Sequence, residues 1–381
     1  MFAMKHRARS AAFGTALVAA MVMTAGTGTA AADPASTDVT GQALAAAINS
    51  GLRPAADGRT PQAIVDSGSG SDWRKSTASD AVGEGPEVSA YLAAFAYGLT
   101  HPDAAPPGSN RWDCKPSAEH PRPVVLLHGS WLNAYDTFAF LSPQLARAGM
   151  CVFALNFGRS GLLEGGGVGA IMPGRYGVGR IEDSSGQLAA FVDRVRAATG
   201  AEQVDIIGHS QGGTLANHYL KFEGGQGKVR ELITYGATHH GTSLMGIATL
   251  GRMINNLGID ILGFYDPIVG AANIEQAVGS PFYTTLNAGG DTVPGVDYTV
   301  VGSRHDEVMN PYEMTFLHAG PGATVENITL QDGCDQDLSD HLTLMYSPRA
   351  ASIALHALDP AAHPNLTCTF NPWMIGGGGG L

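Results

Sequence analysis

The sequence predicts an α/β protein with a mostly parallel central sheet and helices on both faces. Three observations carry that reading. The runs "PVVLLHG" (123–129) and "MCVFALNFG" (150–158) are apolar without alternation, as strands buried on both sides are. Segments of helical period separate such runs. Between 204 and 222 an apolar string, "VDIIGHS", passes straight into a helix-forming one, "QGGTLANHYLKF".

The elements follow in order. After the first strand, "TFAFLSPQLARAG" has helical spacing and stops at Gly149. "MCVFALNFG" is the next strand, and "RIEDSSGQLAAFVDRVRAATG" (180–200) an amphipathic helix ending at Gly200. Two more strands come from "VRELITYGAT" and "VDYTVVGSRHD". Residues 111–370 therefore form the main domain. Ahead of it, 33–110 is rich in Ala, Gly, Pro and Ser and reads as a partly irregular extension wrapped on that domain. Within the extension, "GQALAAAINSGL" and "EVSAYLAAFAYGL" suit short helices, and "VDSGSGSDWRKSTASD" suits a loop. Residues 371–381 form a Gly-rich tail, and no internal repeat is visible.

The first 32 residues have the organisation of a secretory leader. Lys5, Arg7 and Arg9 precede an apolar stretch too short to span a membrane comfortably, and Ala30 and Ala32 supply the small residues of a cleavage site after Ala32. The formal net charge of −12 argues against nucleic acid or an anionic membrane surface as a partner, since both demand basic patches. No stable membrane insertion is expected, and oligomeric state is not legible. The four cysteines, Cys114, Cys151, Cys334 and Cys368, suggest two disulfides in an exported chain. Three pairings are open; order along the chain favours Cys114–Cys151 with Cys334–Cys368.

The pattern G-H-S-Q-G around Ser210 marks the candidate chemistry. Gly208 and Gly212 remove side chains where strand and helix close on a sharp turn, and Gly213 lets the helix approach the sheet. Such a turn lifts the Ser210 hydroxyl clear and puts the Gln211 N–H at a helix start, where unpaired donors favour negative charge. A serine needs a base, and an acid to orient that base. Asp306 follows the strand "VDYTVVG", and His341 comes later in "LSDHLTL", in the chain order serine, acid, histidine. Glu307 is the rival acid and His318 the rival base. Asp291 and Asp297 read as turn or surface residues, and Asp340 as a helix start. His209, adjacent to the serine, reads as packing. The backbone N–H groups of Ser130, in "LLHGSW", and Gln211 are the expected oxyanion donors, with His128 and Gly129 shaping the loop.

These residues resemble the α/β-hydrolase superfamily, and more narrowly the secreted bacterial class 2 triacylglycerol lipases and esterases. "PVVLLHGSW", "VDIIGHSQGG", "GATHHGTSL" and "ITLQDGCDQDLSDHLTL" carry the likeness, which runs from about Cys114 to Cys368. It implies ester hydrolysis through Ser210, Asp306 and His341 without a cofactor, and a disulfide at each end of the domain. No metal is expected: His239 and His240 are adjacent, point apart and have no third ligand nearby in the sequence, so they read as pocket rim or packing. The N-x-T sequences at Asn327 and Asn365 read as plain loops.

Residues 243–278 form an apolar insertion in which Leu244, Ile247, Ala248, Ile254, Leu257 and Ile261 recur at helical spacing. It reads as a cap or lid over an acyl pocket, faced by Leu162, Leu163 and Met172. The expected function is a secreted serine carboxylic ester hydrolase acting on lipid or small acyl esters, at a lipid–water interface for the insoluble ones. An acyltransferase using the same acyl-enzyme, and a catalytically silent surface-binding protein, are the alternatives.

Overall fold

A computed structural model describes residues 76–161, 166, 170, 174–243 and 270–377. The leader, residues 33–75, most of the cap (including its six periodic apolar residues), Leu162, Leu163, Met172 and the end of the tail lie outside the described residues.

The chain enters with β1 (Thr77–Asp80) and α1 (Tyr91–Thr100), followed by β2 (Val124–Leu127), α2 (Ala134–Phe138), α3 (Leu141–Arg147) and β3 (Val152–Arg159). Next come α4 (Ile181–Thr199), β4 (Val204–His209), α5 (Gln211–Phe222) and β5 (Val229–Tyr235). The described remainder holds α6 (Ala271–Glu275), α7 (Pro281–Asn287), β6 (Asp297–Gly302), β7 (Thr324–Thr329) and α8 (Pro348–Leu358), with single 3₁₀ turns at Tyr312–Thr315 and Thr343–Tyr346.

Seven strands form one sheet in the order β1-β3-β2-β4-β5-β6-β7. Only β1 is antiparallel, and the expected α/β architecture is present. Because successive side chains along a strand point to opposite faces, each central strand feeds two cores. Leu126, Ala154, Ile207, Ile233 and Val301 pack toward α2, α3 and α8. Val125, Leu127, Phe153, Ile206, Leu232 and Val300 pack toward α4, α5 and α7.

Three details depart from the expectations. The helix expected after β2 is two helices, parted at Ala139 and Phe140. Pro143 has no N–H to give the Ala139 carbonyl, and its ring crowds that carbonyl, so the helix cannot run through. The polar "TASD", expected as loop, is the edge strand β1, and the polar β7 closes the other edge. Edge strands bury little, so they lack the apolar signature of central ones. Asn327 therefore sits in a strand rather than a loop, where its side-chain amide donates to the Leu317 carbonyl and accepts from the Leu317 N–H.

The cysteines form Cys114–Cys151 and Cys334–Cys368. The first ties the approach to β2 to the start of β3; the second ties the segment after β7 to the C-terminal strap. Of the predicted cap, the C-terminal part is described: α6 rests on the main domain through the Ala272 N–H to the Val178 carbonyl, and Thr242 pairs with Ala277. No helix among the described residues is long and apolar enough to cross a membrane.

Candidate active site

Strands β2, β4, β6 and β7 all point their C-terminal ends at one edge of the sheet, and loops leaving that edge carry Ser130, Ser210, Asp306 and His341. Ser210 sits between β4 and α5 with φ +52° and ψ −123°, a conformation that non-glycine residues adopt at a cost of about 1–3 kcal/mol. The surroundings enforce it. A Cβ on Gly208 would lie 2.6 Å from the Gly213 nitrogen, and one on Gly212 would lie 2.2 Å from the Leu127 carbonyl oxygen of β2. Only a residue without a side chain lets the turn close. Ser210 is 5% exposed.

Two loops bring the partners. His341 Nε2 lies 2.9 Å from Ser210 Oγ, and His341 Nδ1 lies 3.0 and 2.9 Å from the two carboxylate oxygens of Asp306. Because a carboxylate only accepts, Nδ1 carries the proton, and Nε2 is left to accept from the serine hydroxyl. Asp306 is in turn held by the Val308 and Met309 N–H groups at 2.9 and 2.7 Å. Burial works against charge on His341, but the carboxylates of Asp306, Glu307 and Asp340 outweigh it and hold the imidazole pKa above its usual value.

The other candidates take different places. Glu307 reaches the His341 backbone N–H, 3.3 Å away, and not the ring. His318 is exposed, and its Nδ1 pairs with Asp291 at 3.0 Å. Asp291, expected as a turn or surface residue, is a half-buried anchor for His240, at 3.2 Å, and His318, and both hold its carboxyl well below the ordinary range. Asp297 opens β6 in an ion pair with Arg230, and Asp340 accepts from Leu342 and Thr343 N–H groups at the start of a 3₁₀ turn. His209 is buried and lends its Nε2 to the His341 carbonyl at 2.7 Å; burial pushes its pKa down to about 3, so it donates as a neutral ring. The sequence showed its burial but not this grip on the histidine loop. His239 is wholly buried beside Thr234, and His240 faces the Met314 carbonyl and Asp291. Among the described residues no group of three or more His, Cys, Asp or Glu is placed to hold a metal ion.

Ser130 follows β2 in the loop beside Ser210, where a Cβ on Gly129 would stand 3.0 Å from the Ser210 Cβ. Neither the Ser130 nor the Gln211 N–H has an acceptor among the described residues. His128 packs flat on Phe157, 4.1 Å between ring centres, and spans the loop by accepting from the Phe157 N–H and donating to the Gly129 carbonyl. Burial keeps it neutral, with its pKa pushed down to about 3. Trp131, next in the loop, has φ +57° and is 40% exposed, so a large apolar ring stands at the rim. Gln276, just after α6, donates to Ser130 Oγ at 2.8 Å, a link between the insertion and this loop with no local sequence signal.

A serine on a strained turn at the C-terminal edge of a mostly parallel sheet, with an aspartate and a histidine from later loops, is the arrangement of the α/β-hydrolase fold, and residues 122–257 match the family model described as alpha/beta hydrolase fold. The chain has the fold of that superfamily, and the match takes in about a third of it. The chain is 34% identical over 125 residues to triacylglycerol lipases of Pseudarthrobacter phenanthrenivorans and Burkholderia plantarii. Each match takes in 32% of this chain and 34% or 30% of the relative, so the chain spans about a third of the length of these curated relatives. The crystal structure of Aspergillus fumigatus lipase B shares the fold at TM-score 0.50 and 21% identity, over 67% of this chain and 55% of that one.

Proposed function

We propose that the protein is an exported serine hydrolase that cleaves aliphatic carboxylic esters, acylglycerols among them, through an acyl-enzyme on Ser210. The observation that carries the reading is the 2.9 Å contact of His341 Nε2 with a serine hydroxyl on a strained turn, the far side of the same ring facing Asp306. The triacylglycerol lipases it resembles supply the substrate class.

The steps follow from proton bookkeeping. His341 Nε2 takes the Ser210 proton as Oγ bonds to the acyl carbon, and the carbonyl π pair moves to oxygen. The N–H groups of Ser130 and Gln211 receive that oxyanion, and Asp306 stabilises the imidazolium. As the C–O bond to the alcohol breaks, the imidazolium returns the proton to the leaving oxygen. Water then repeats the sequence on the acyl-enzyme and releases the carboxylic acid. The role asked of one such donor is about 3 kcal/mol of transition-state stabilisation.

Export after cleavage near Ala32 fits two disulfides, which persist in oxidising compartments. Hydrolysis of p-nitrophenyl butyrate by wild type, with a loss of about 10⁶-fold in Ser210→Ala, is the expected result. Equal rates in the two proteins would discard the reading. The ratio of triolein to butyrate hydrolysis, with and without an added alcohol, then assigns lipase, esterase or transferase.

A further inference from the structure

The loop bearing Asp306 and the loop bearing His341 are joined by a buried hydrogen-bond chain in which every donor and acceptor is assigned by chemistry. At its centre is Gln331, just beyond β7 and 2% exposed. Its Nε2 lies 3.1 Å from the Asp337 carbonyl oxygen, which only accepts, so the amide orientation is settled. The same nitrogen therefore donates its other proton to Ser303 Oγ at 2.9 Å, while Oε1 accepts from the Arg304 N–H at 2.9 Å.

Ser303 Oγ thus spends its own proton on the Ser339 carbonyl. Ser303 stands three residues before Asp306, whose N–H donates to the Ser303 carbonyl at 3.1 Å; Ser339 stands two before His341. From the other side, Asp337 accepts from the Ser339 N–H and hydroxyl and from Ser347 Oγ, and Asn371 Nδ2 donates to Ser339 Oγ at 2.7 Å. Ser303, Asp337 and Ser339 are wholly buried, so water does not compete for these bonds.

We infer that Ser303 and Gln331 are positioning residues of the relay, clamping the acid loop to the histidine loop so that the Asp306–His341 contact is held short before substrate arrives. The inference rests on the serine-relay reading of the site. A relay needs its groups placed to within a fraction of an ångström, and a misplacement of about 1 Å costs on the order of 10²-fold in rate. Neither residue reaches Ser210 or His341 directly, so the effect passes through the two loops. A hydroxyl at 303 and a two-proton donor at 331 are both required: removing either leaves the Ser339 or the Asp337 carbonyl without its partner.

The test uses the full chain with Ser303→Ala, Ser303→Thr and Gln331→Met, read in two ways. The first is steady-state hydrolysis of p-nitrophenyl butyrate. The second, which needs no turnover, is the downfield proton resonance of His341 Nδ1–H, assigned by its absence in His341→Ala. Expected are a fall in kcat of about 10- to 100-fold with KM within about two-fold for Ser303→Ala and Gln331→Met, and recovery in Ser303→Thr. The resonance should move upfield or broaden in the two impaired variants. Since Asp306, Glu307 and Asp340 are the charges facing His341, with neutral His209 behind it, loosening Asp306 should also shift the acidic limb of the rate profile to lower pH. Should Gln331→Met not fold, Ser303→Ala carries the test alone.

Variants with a lower Tm but wild-type kcat and an unmoved resonance would overturn the inference, as would an equal defect in Ser303→Thr. If wild type and Ser210→Ala hydrolyse esters equally, the functional reading fails instead; the resonance still reports whether the clamp sets the Asp306–His341 contact.

Discussion

Glu307 holds the backbone of His341 while its neighbour Asp306 holds the ring: the Glu307 carboxylate accepts from the His341 N–H at 3.3 Å, and Asp306 meets Nδ1 at 2.9 Å. Two adjacent acids thus grip one histidine at different atoms. Asp306→Asn keeps the shape but offers an amide that can turn the ring to the wrong tautomer, so kcat should fall about 10³- to 10⁴-fold. Glu307→Gln keeps an acceptor oxygen for the same N–H and should cost less than about ten-fold. Measuring kcat for both variants on one ester checks the assignment; the larger loss in Glu307→Gln would reverse it.

The raised pKa of His341 sets the direction of pH dependence. A relay base must be unprotonated, so kcat/KM should fall as pH drops through the folded-state pKa, which lies above the ordinary 6.5. In Asp306→Asn the main raising influence is gone, and the residual activity should keep its plateau to lower pH. For stability the sign is opposite. A histidine whose pKa is raised on folding contributes stability that is complete below its unfolded value and is lost as pH rises through the folded one. The stability that wild type holds over Asp306→Asn should therefore shrink between pH 5 and 9 while the wild-type rate rises; a rate unchanged from pH 8 to 5 would exclude a histidine base.

How far the sequence could be read depended on whether the signal was local. The unit β4–Ser210–α5 was legible because the glycine spacing answers contacts a few residues away. Asp306 and His341 were reachable by chain order after known strands, and the structure puts both within hydrogen-bond reach. The break at Ala139 was announced by Pro143 and outvoted by apolar spacing on either side. β1 and β7 stayed hidden because an edge strand buries too little to need apolar residues. Gln331, Gln276 and Glu307 act on loops far along the chain, through bonds that no residue pattern encodes.

The two kinds of helical glycine should respond in opposite ways to alanine. A Cβ on Gly212 would press on two backbone carbonyl oxygens, Leu127 at 2.2 Å and His128 at 2.7 Å, and neither can swing aside. Gly212→Ala should cost about 3 kcal/mol or more and disturb the turn that presents Ser210. Gly186, on the exposed face of α4, has nothing within 4 Å of where a Cβ would stand. There alanine only lowers the entropy lost on folding, and Gly186→Ala should stabilise by about 0.5–1 kcal/mol. Urea denaturation of both variants decides; a neutral Gly212→Ala would mean that the turn can open.

The loop bearing Ser130 is fastened by a buried ion pair, and its loss should be felt in both stability and rate. Arg175 Nη2 lies 3.0 Å from Asp136 Oδ2, with both side chains almost wholly buried, and the guanidinium sits 4.4 Å above the Phe95 ring. Burial pushes the Asp136 carboxyl up to about 7 even beside that cation, which shows how costly the carboxylate would be alone. Arg175 Nη1 also donates to the Trp131 carbonyl at 2.7 Å, directly after Ser130. Arg175→Met keeps the volume but leaves the buried carboxyl without its cation, so the group must take up a proton to stay buried and unfolding should become easier, by up to about 3–5 kcal/mol. Asp136→Asn in the same chain removes the ionisable group and should return part of that stability. It cannot return the donor to Trp131, so kcat should stay low in the double variant while its stability recovers. Parallel recovery of both would mean that the pair supports the fold alone and leaves the Ser130 loop to hold itself.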